Sequence, residues 1–137
     1  MNYYNTFIAV ATDTKASHGM LPPVRSEKKT IAVLEYELIF PRPYLLTQED
    51  VQFAVYAQRH GLTAKVLKEK SGQLWQDFFA RPMACMRTSP LAKSYGWGLH
   101  FNPVGKLALV PVESAEYQKL IADQSMTQTR AMRSKRE

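Results

Sequence analysis

The densest group of chemically capable side chains lies between Arg87 and His100. Ser89-Pro90 has the form of a helix start: a serine hydroxyl accepts from free backbone amides, and proline suits the first helical position. Such a start carries partial positive charge and favours anions. Arg87 just before it and Lys93 one turn inside would add charge from either side, while Tyr95 and Trp97 could flank an aromatic or sugar-like group. Arg87 matters more than Lys93, because its planar fork can hold two oxygens at once. His100 shares a strand parity with Gly98 and opposes Trp97, Leu99 and Phe101. That parity would set it over a cleft floored by bare glycine backbone, as a ligand donor or an acid–base group. The bland reading of the same residues is a capped turn with solvated cations, Arg87 paired with a carboxylate such as Asp77, and a solvated sheet histidine.

Cys85 is the only cysteine, and Arg81 and Arg87 flank it, so a reactive thiolate with His100 as base is one reading. A small buried hydrophobe is the commoner fate of a free cysteine. His18 and His60 look like surface residues, and three scattered histidines make no metal site. Tyr36, Tyr44 and Tyr56 could line a pocket or simply pack. Glu35, Glu37, Glu49 and Asp50 are better explained as a solvated face or a cap than as a catalytic carboxylate pair. The phosphate-cradling and dinucleotide glycine loops are absent; Gly96-Trp97-Gly98 keeps only two of the required glycines and enters a strand. Ser89 and Lys93 are four apart, which misses the Ser-x-x-Lys nucleophile spacing.

The elements that must position these groups follow from pattern. Asn5–Ala11 reads as a strand. A loop stiffened by Pro22-Pro23 follows, then Thr30–Phe40, where Ile31, Leu34 and Leu38 predict a helix ending before Pro41. Thr47 caps a second helix with Glu49 and Asp50 in its first turn and Gly61 as its stop. A polar stretch, Thr63 to Gly72, leads into a short buried helix whose Trp75, Phe78 and Phe79 should be core, as should Val51 and Val55. Trp97–Phe101 and Lys106–Val112, joined by Asn102-Pro103-Val104-Gly105, predict a β-hairpin on a type I turn. Ser114 caps a last helix bearing Tyr117, Leu120 and Ile121, after which order should fade.

The 137 residues suffice for one core, and 45% hydrophobic with 11% aromatic content excludes a disordered chain. No apolar run reaches the roughly 18 residues of a membrane helix. The start lacks a signal-peptide pattern, and a single cysteine gives no disulfide framework, so the expectation is cytoplasmic. The net charge of +6 divides evenly: residues from Ser125 onward, with Arg130, Arg133, Lys135, Arg136 and Glu137, hold +3, and the larger body only +3. That split predicts, at most, weak non-specific nucleic-acid binding carried by the tail.

The run Cys85-Met86-Arg87-Thr88-Ser89-Pro90-Leu91-Ala92-Lys93-Ser94-Tyr95-Gly96-Trp97-Gly98-Leu99-His100 is distinctive. With Asn5-Thr6-Phe7-Ile8, Lys29-Thr30-Ile31-Ala32, Thr47 with Asp50-Val51, and Val112-Glu113-Ser114 with Tyr117, it resembles an uncharacterised family of small bacterial proteins. The likeness runs from about Asn2 to about Ala122. That family has no established activity, so the resemblance implies a one-domain bacterial cytoplasmic protein and carries over no site residue.

The expected architecture is α+β: a small antiparallel sheet, from the N-terminal strand and the C-terminal hairpin, packed against several helices. Residues 1–122 form the domain and 123–137 a basic, disordered tail. The expected function is a module binding a small anionic ligand through Arg87, Ser89, Lys93, Tyr95, Trp97 and His100, with no cofactor and no metal. The alternatives are a small enzyme using Cys85 or His100 in the same cleft, and a protein- or nucleic-acid-interaction module using the tail. A homo-oligomer stays open.

Overall fold

The computed structural model describes residues 2–134. Each α-helix among the described residues begins where a hydroxyl meets orphan amides. Thr30 caps α1 (Ile31–Ile39), Thr47 caps α2 (Gln48–Arg59), Thr63 caps α3 (Ala64–Phe79), Ser89 caps α4 (Pro90–Ser94) and Ser114 caps α5 (Ala115–Ala122). At α2 the cap is reciprocal: Asp50 N–H donates to Thr47 Oγ1, and Thr47 N–H donates to the Asp50 carboxylate at 2.9 Å. A cap of this kind contributes about 1 kcal/mol.

The strands are β1 (Thr6–Ala9), β2 (Trp97–Phe101), β3 (Leu107–Pro111) and β4 (Thr127–Arg130). They form one sheet in the order β3-β2-β1-β4. The predicted hairpin is present, with Leu99 opposite Leu109 and Gly105 N–H closing the turn onto Asn102 O at 2.9 Å. β1 lies antiparallel to β2, with Phe7 opposite His100, and parallel to β4, with Phe7 opposite Gln128.

The sheet has two unequal faces. Ile8, Leu99, Phe101 and Leu107 point to the side covered by helices α1, α2 and α4, into a core that includes Ile39, Val51 and Leu91. Phe7, Ala9 and Val110 point to the other side, where Tyr117 of α5 covers them. The Tyr117 ring hydroxyl also accepts the N–H of Val10, just past the end of β1, at 3.1 Å. Gly98 explains why the second face closes so tightly. A Cβ there would lie 2.7 Å from the Phe7 ring and 2.9 Å from the Tyr117 ring, so the space beside β2 is filled by that aromatic pair. The cleft expected over Gly98 is therefore occupied.

The α+β class holds, with two corrections. The sheet is mixed, because residues 127–130, expected in a disordered tail, form β4. The anchoring is polar, which is why apolar periodicity did not reveal it. Thr127 N–H donates to Asn5 O, Ala131 N–H to Ala9 O and Met132 N–H to Arg87 O, and Ala131 is 3% exposed. Lys135, Arg136 and Glu137 of that tail lie outside the described residues. The second correction concerns α3, which is one continuous helix from Ala64 and starts inside the stretch read as polar linker. It buries Phe78 only, against Phe53 and Tyr56 of α2, and leaves Trp75 partly exposed beside Phe53 and Phe79 partly exposed beside Trp75. Val51 and Val55 are core, as expected.

Candidate functional site

The helix start at Ser89 is closed. Ser89 is 2% exposed, and its hydroxyl donates to Glu35 Oε1 of α1 at 2.8 Å. The same oxygen accepts from Leu91 N–H at 3.2 Å, and Ser89 O accepts from Lys93 N–H at 3.0 Å. The Leu91 and Lys93 amides are thus taken by Ser89 itself, and the Ser89 hydroxyl is held by a protein carboxylate. Arg87 does not meet Asp77; its Nε donates to Arg130 O at 2.6 Å, and its own carbonyl receives Met132 N–H, so it clamps the end of β4. Asp77 takes a bond from Gln73 instead.

The remaining candidates diverge. Trp97 is 5% exposed on the face of α1, where it donates Nε1–H to Met20 O at 2.9 Å and packs its ring against Tyr36 and Phe40. Tyr95 packs beside the same core, and Lys93 is half-buried on α4. His100 lies on the opposite face, its Nδ1 2.8 Å from the Tyr44 hydroxyl. Burial lowers the His100 pKa, and Glu116 and Asp123 of the α5 region push it back up. Tyr44 holds a left-handed backbone, φ 60°, which is uncommon for an aromatic residue, while its N–H bonds Leu107 O at 2.9 Å. Thus the sheet separates Trp97 from His100, and likewise His100 from Cys85. Among the described residues no group of three or more histidine, cysteine, aspartate or glutamate side chains could hold a metal.

Two adjacent cavities on the helical face do collect polar groups. One, about 210 Å³, is walled by Ile31, Val55, Phe78 and Met83, with Tyr56, Arg59 and His60 along one side. Glu35 opens into it. Glu35 is 6% exposed, and burial raises its carboxyl to a pKa of about 7 against the lowering effect of the Ser89 hydroxyl. Only one of its oxygens has a partner: among the described residues, nothing bonds Oε2. Among the described residues no buried side-chain oxygen or nitrogen lacks a partner, so Oε2 must be reached from the cavity.

The second cavity, about 200 Å³, shares Gln52 and Met83 with the first and is lined by Tyr3, Gln48 and Cys85. Gln52 Nε2 donates to Ala84 O at 2.7 Å, and this bar stands where the two cavities meet. The Tyr3 hydroxyl is pushed up to about 12, chiefly by burial and then by its hydrogen bond to the Cys85 thiol, with Arg87 pulling the other way.

Glu35 is the residue that sequence reasoning missed, having been assigned to a solvated face. The signal was present: Glu35 falls among Ile31, Leu34 and Leu38 on the apolar stripe of α1.

The chain belongs to a family of unknown function (DUF6157), whose match covers residues 1–137. Neither a curated protein nor a solved structure is similar to it. No helix among the described residues is long and apolar enough to cross a membrane.

Proposed function

We propose that this protein is a small-ligand-binding module whose site is the cavity onto which Glu35 opens. The observation that carries the reading is the second oxygen of a buried carboxyl, unpartnered by protein and facing a largely apolar space. Sites for small molecules combine apolar walls with a few placed polar groups, and a titratable group displaced by burial marks them further. Here Ile31, Val55, Phe78 and Met83 supply the walls, and Arg59 and His60 stand exposed at the side. The cavity is larger than the about 150 Å³ that admits a benzene ring in an engineered cavity. The Arg87–His100 segment takes part through Ser89, which fixes one Glu35 oxygen and leaves the other spare. The single cysteine agrees with a cytoplasmic setting, and the basic composition of residues 123–137 would allow weak, non-specific phosphate contact.

A fragment screen by protein-observed NMR tests the reading. Hits should shift the amides of Glu35, Val55 and Phe78, and Val55→Trp, which fills the cavity, should abolish them. Hits that cluster elsewhere and survive Val55→Trp would overturn it.

One observation favours a second reading, a small enzyme with an acid–base pair on the other face. Tyr44 adopts an uncommon backbone while its hydroxyl meets His100, and strained residues gather at functional sites. Tyr44→Phe would then change the pH dependence of any activity found.

A further inference from the structure

The Glu35 cavity has a chemical polarity of its own. Its lining includes a carboxyl group with one oxygen spoken for by Ser89 and one left to the void. Its walls are apolar, so a group arriving there leaves water behind. A buried carboxylate without a counter-charge is costly, and a charge-assisted N–H donor is the strongest partner it can gain. The groups around it set the context. From α2 come Tyr56, Arg59 and His60; from α3, the apolar Phe78; from α4, Ser89, with Lys93 the single charged residue of that helix. Arg59 and His60 are exposed, so solvent screens them and they do not replace the missing counter-charge.

Resting on the reading of this cavity as the binding site, we infer that its ligand is a small organic cation, an amine or amidine on a compact apolar body, with its nitrogen against Glu35 Oε2. The apolar body lies between Val55, Phe78 and Met83. Binding is coupled to a proton: the carboxyl must be ionised to receive the cation, so affinity rises with pH through about 7, where Glu35 titrates. A group titrating there is roughly one-tenth ionised at pH 6 and nine-tenths at pH 8, which sets a change of about tenfold.

The test is isothermal titration of the full chain with benzylamine, benzyl alcohol and benzoate at pH 6, 7 and 8. Benzylamine should bind about tenfold more tightly than benzyl alcohol at pH 8, and its affinity should fall about tenfold by pH 6 while that of the alcohol stays level. Glu35→Gln keeps an acceptor for the Ser89 hydroxyl, so it should fold, retain the alcohol and lose both the amine preference and the slope. His60→Gln should keep the slope; its loss there would assign the effect to repulsion by a protonated histidine and overturn the inference. Equal affinity for amine and alcohol, or a preference for benzoate, would overturn the cation while leaving the cavity as a site. Failure of all three probes to bind would overturn both.

Discussion

The segment from Cys85 to Phe101 and the cleft between α1, α2 and α3 use their polar groups in opposite ways. In the first, three conspicuous side chains are consumed by the fold: Ser89 by Glu35, Arg87 by Arg130 O and Trp97 by Met20 O. In the second, an ordinary-looking glutamate keeps an oxygen in reserve at the edge of a void. A polar residue advertises function when its capacity is left over, and only a count of its partners shows that. Buried polar groups are almost always satisfied within the protein, so a carboxyl oxygen left to a cavity carries the information.

The comparison can be broken, most severely at Trp97. If its ring is core and not a ligand wall, Trp97→Ala should destabilise by about 3–5 kcal/mol, whatever anion is added. A mutant that melts like wild type would return the ring to the list of ligand contacts.

Next comes acidity at Glu35. Its folded pKa of about 7 lies above the ordinary 4.5, so the folded state holds the proton more tightly than the unfolded chain. The contribution is fully present below about pH 4.5 and is lost as pH rises through about 7, then stays flat. The integrated loss is on the order of 3 kcal/mol. Denaturant melts from pH 4.5 to 8 should show wild type losing this increment relative to Glu35→Gln; parallel curves would mean that the carboxyl is not desolvated as described.

Ser89→Ala removes the α4 cap and the hydrogen bond that Glu35 receives from the protein, at about 1–3 kcal/mol. It should also raise the Glu35 titration further, readable by carboxyl carbon NMR, since the hydroxyl is what lowers it. An unmoved carboxyl would deny the contact.

The smallest effect is expected at Arg87→Ala, about 1 kcal/mol, because the guanidinium is half-exposed and its bond to Arg130 O tethers an edge strand. Phosphate should not stabilise wild type more than the mutant; a phosphate effect confined to wild type would restore the anion site at Ser89.

Helix starts, the hairpin and the last helix were legible because hydroxyl caps, the Asn102–Gly105 turn and alternation act locally. The course of α3 was not, since Lys65, Lys68, Glu69 and Lys70 read as linker although charged residues suit a solvent-facing helix. β4 was hidden for a different reason: Thr127-Gln128-Thr129-Arg130 is an exposed edge, held by backbone bonds that leave no mark in hydrophobicity. The sites divide the same way. Arg87, Ser89 and Trp97 were singled out by residue type, but their partners, Arg130, Glu35 and Met20, are distant in the chain, and no spacing rule brings them together.

The strand order bears on how the molecule assembles. β1 lies inside the sheet, between β2 and β4, so Thr6 waits for Phe101 on one side and Thr127 on the other. During synthesis the Phe7-Ile8 segment leaves the ribosome early and stays without a ladder until most of the chain has followed. Helices such as the doubly capped α2 can form at once from local contacts, whereas closing these long loops is slow. Pulse-labelled hydrogen exchange during refolding should therefore find the amides of α2 protected before those of β1. The reverse order would mean that β1 finds its partners early, through contacts stronger than its backbone pairing.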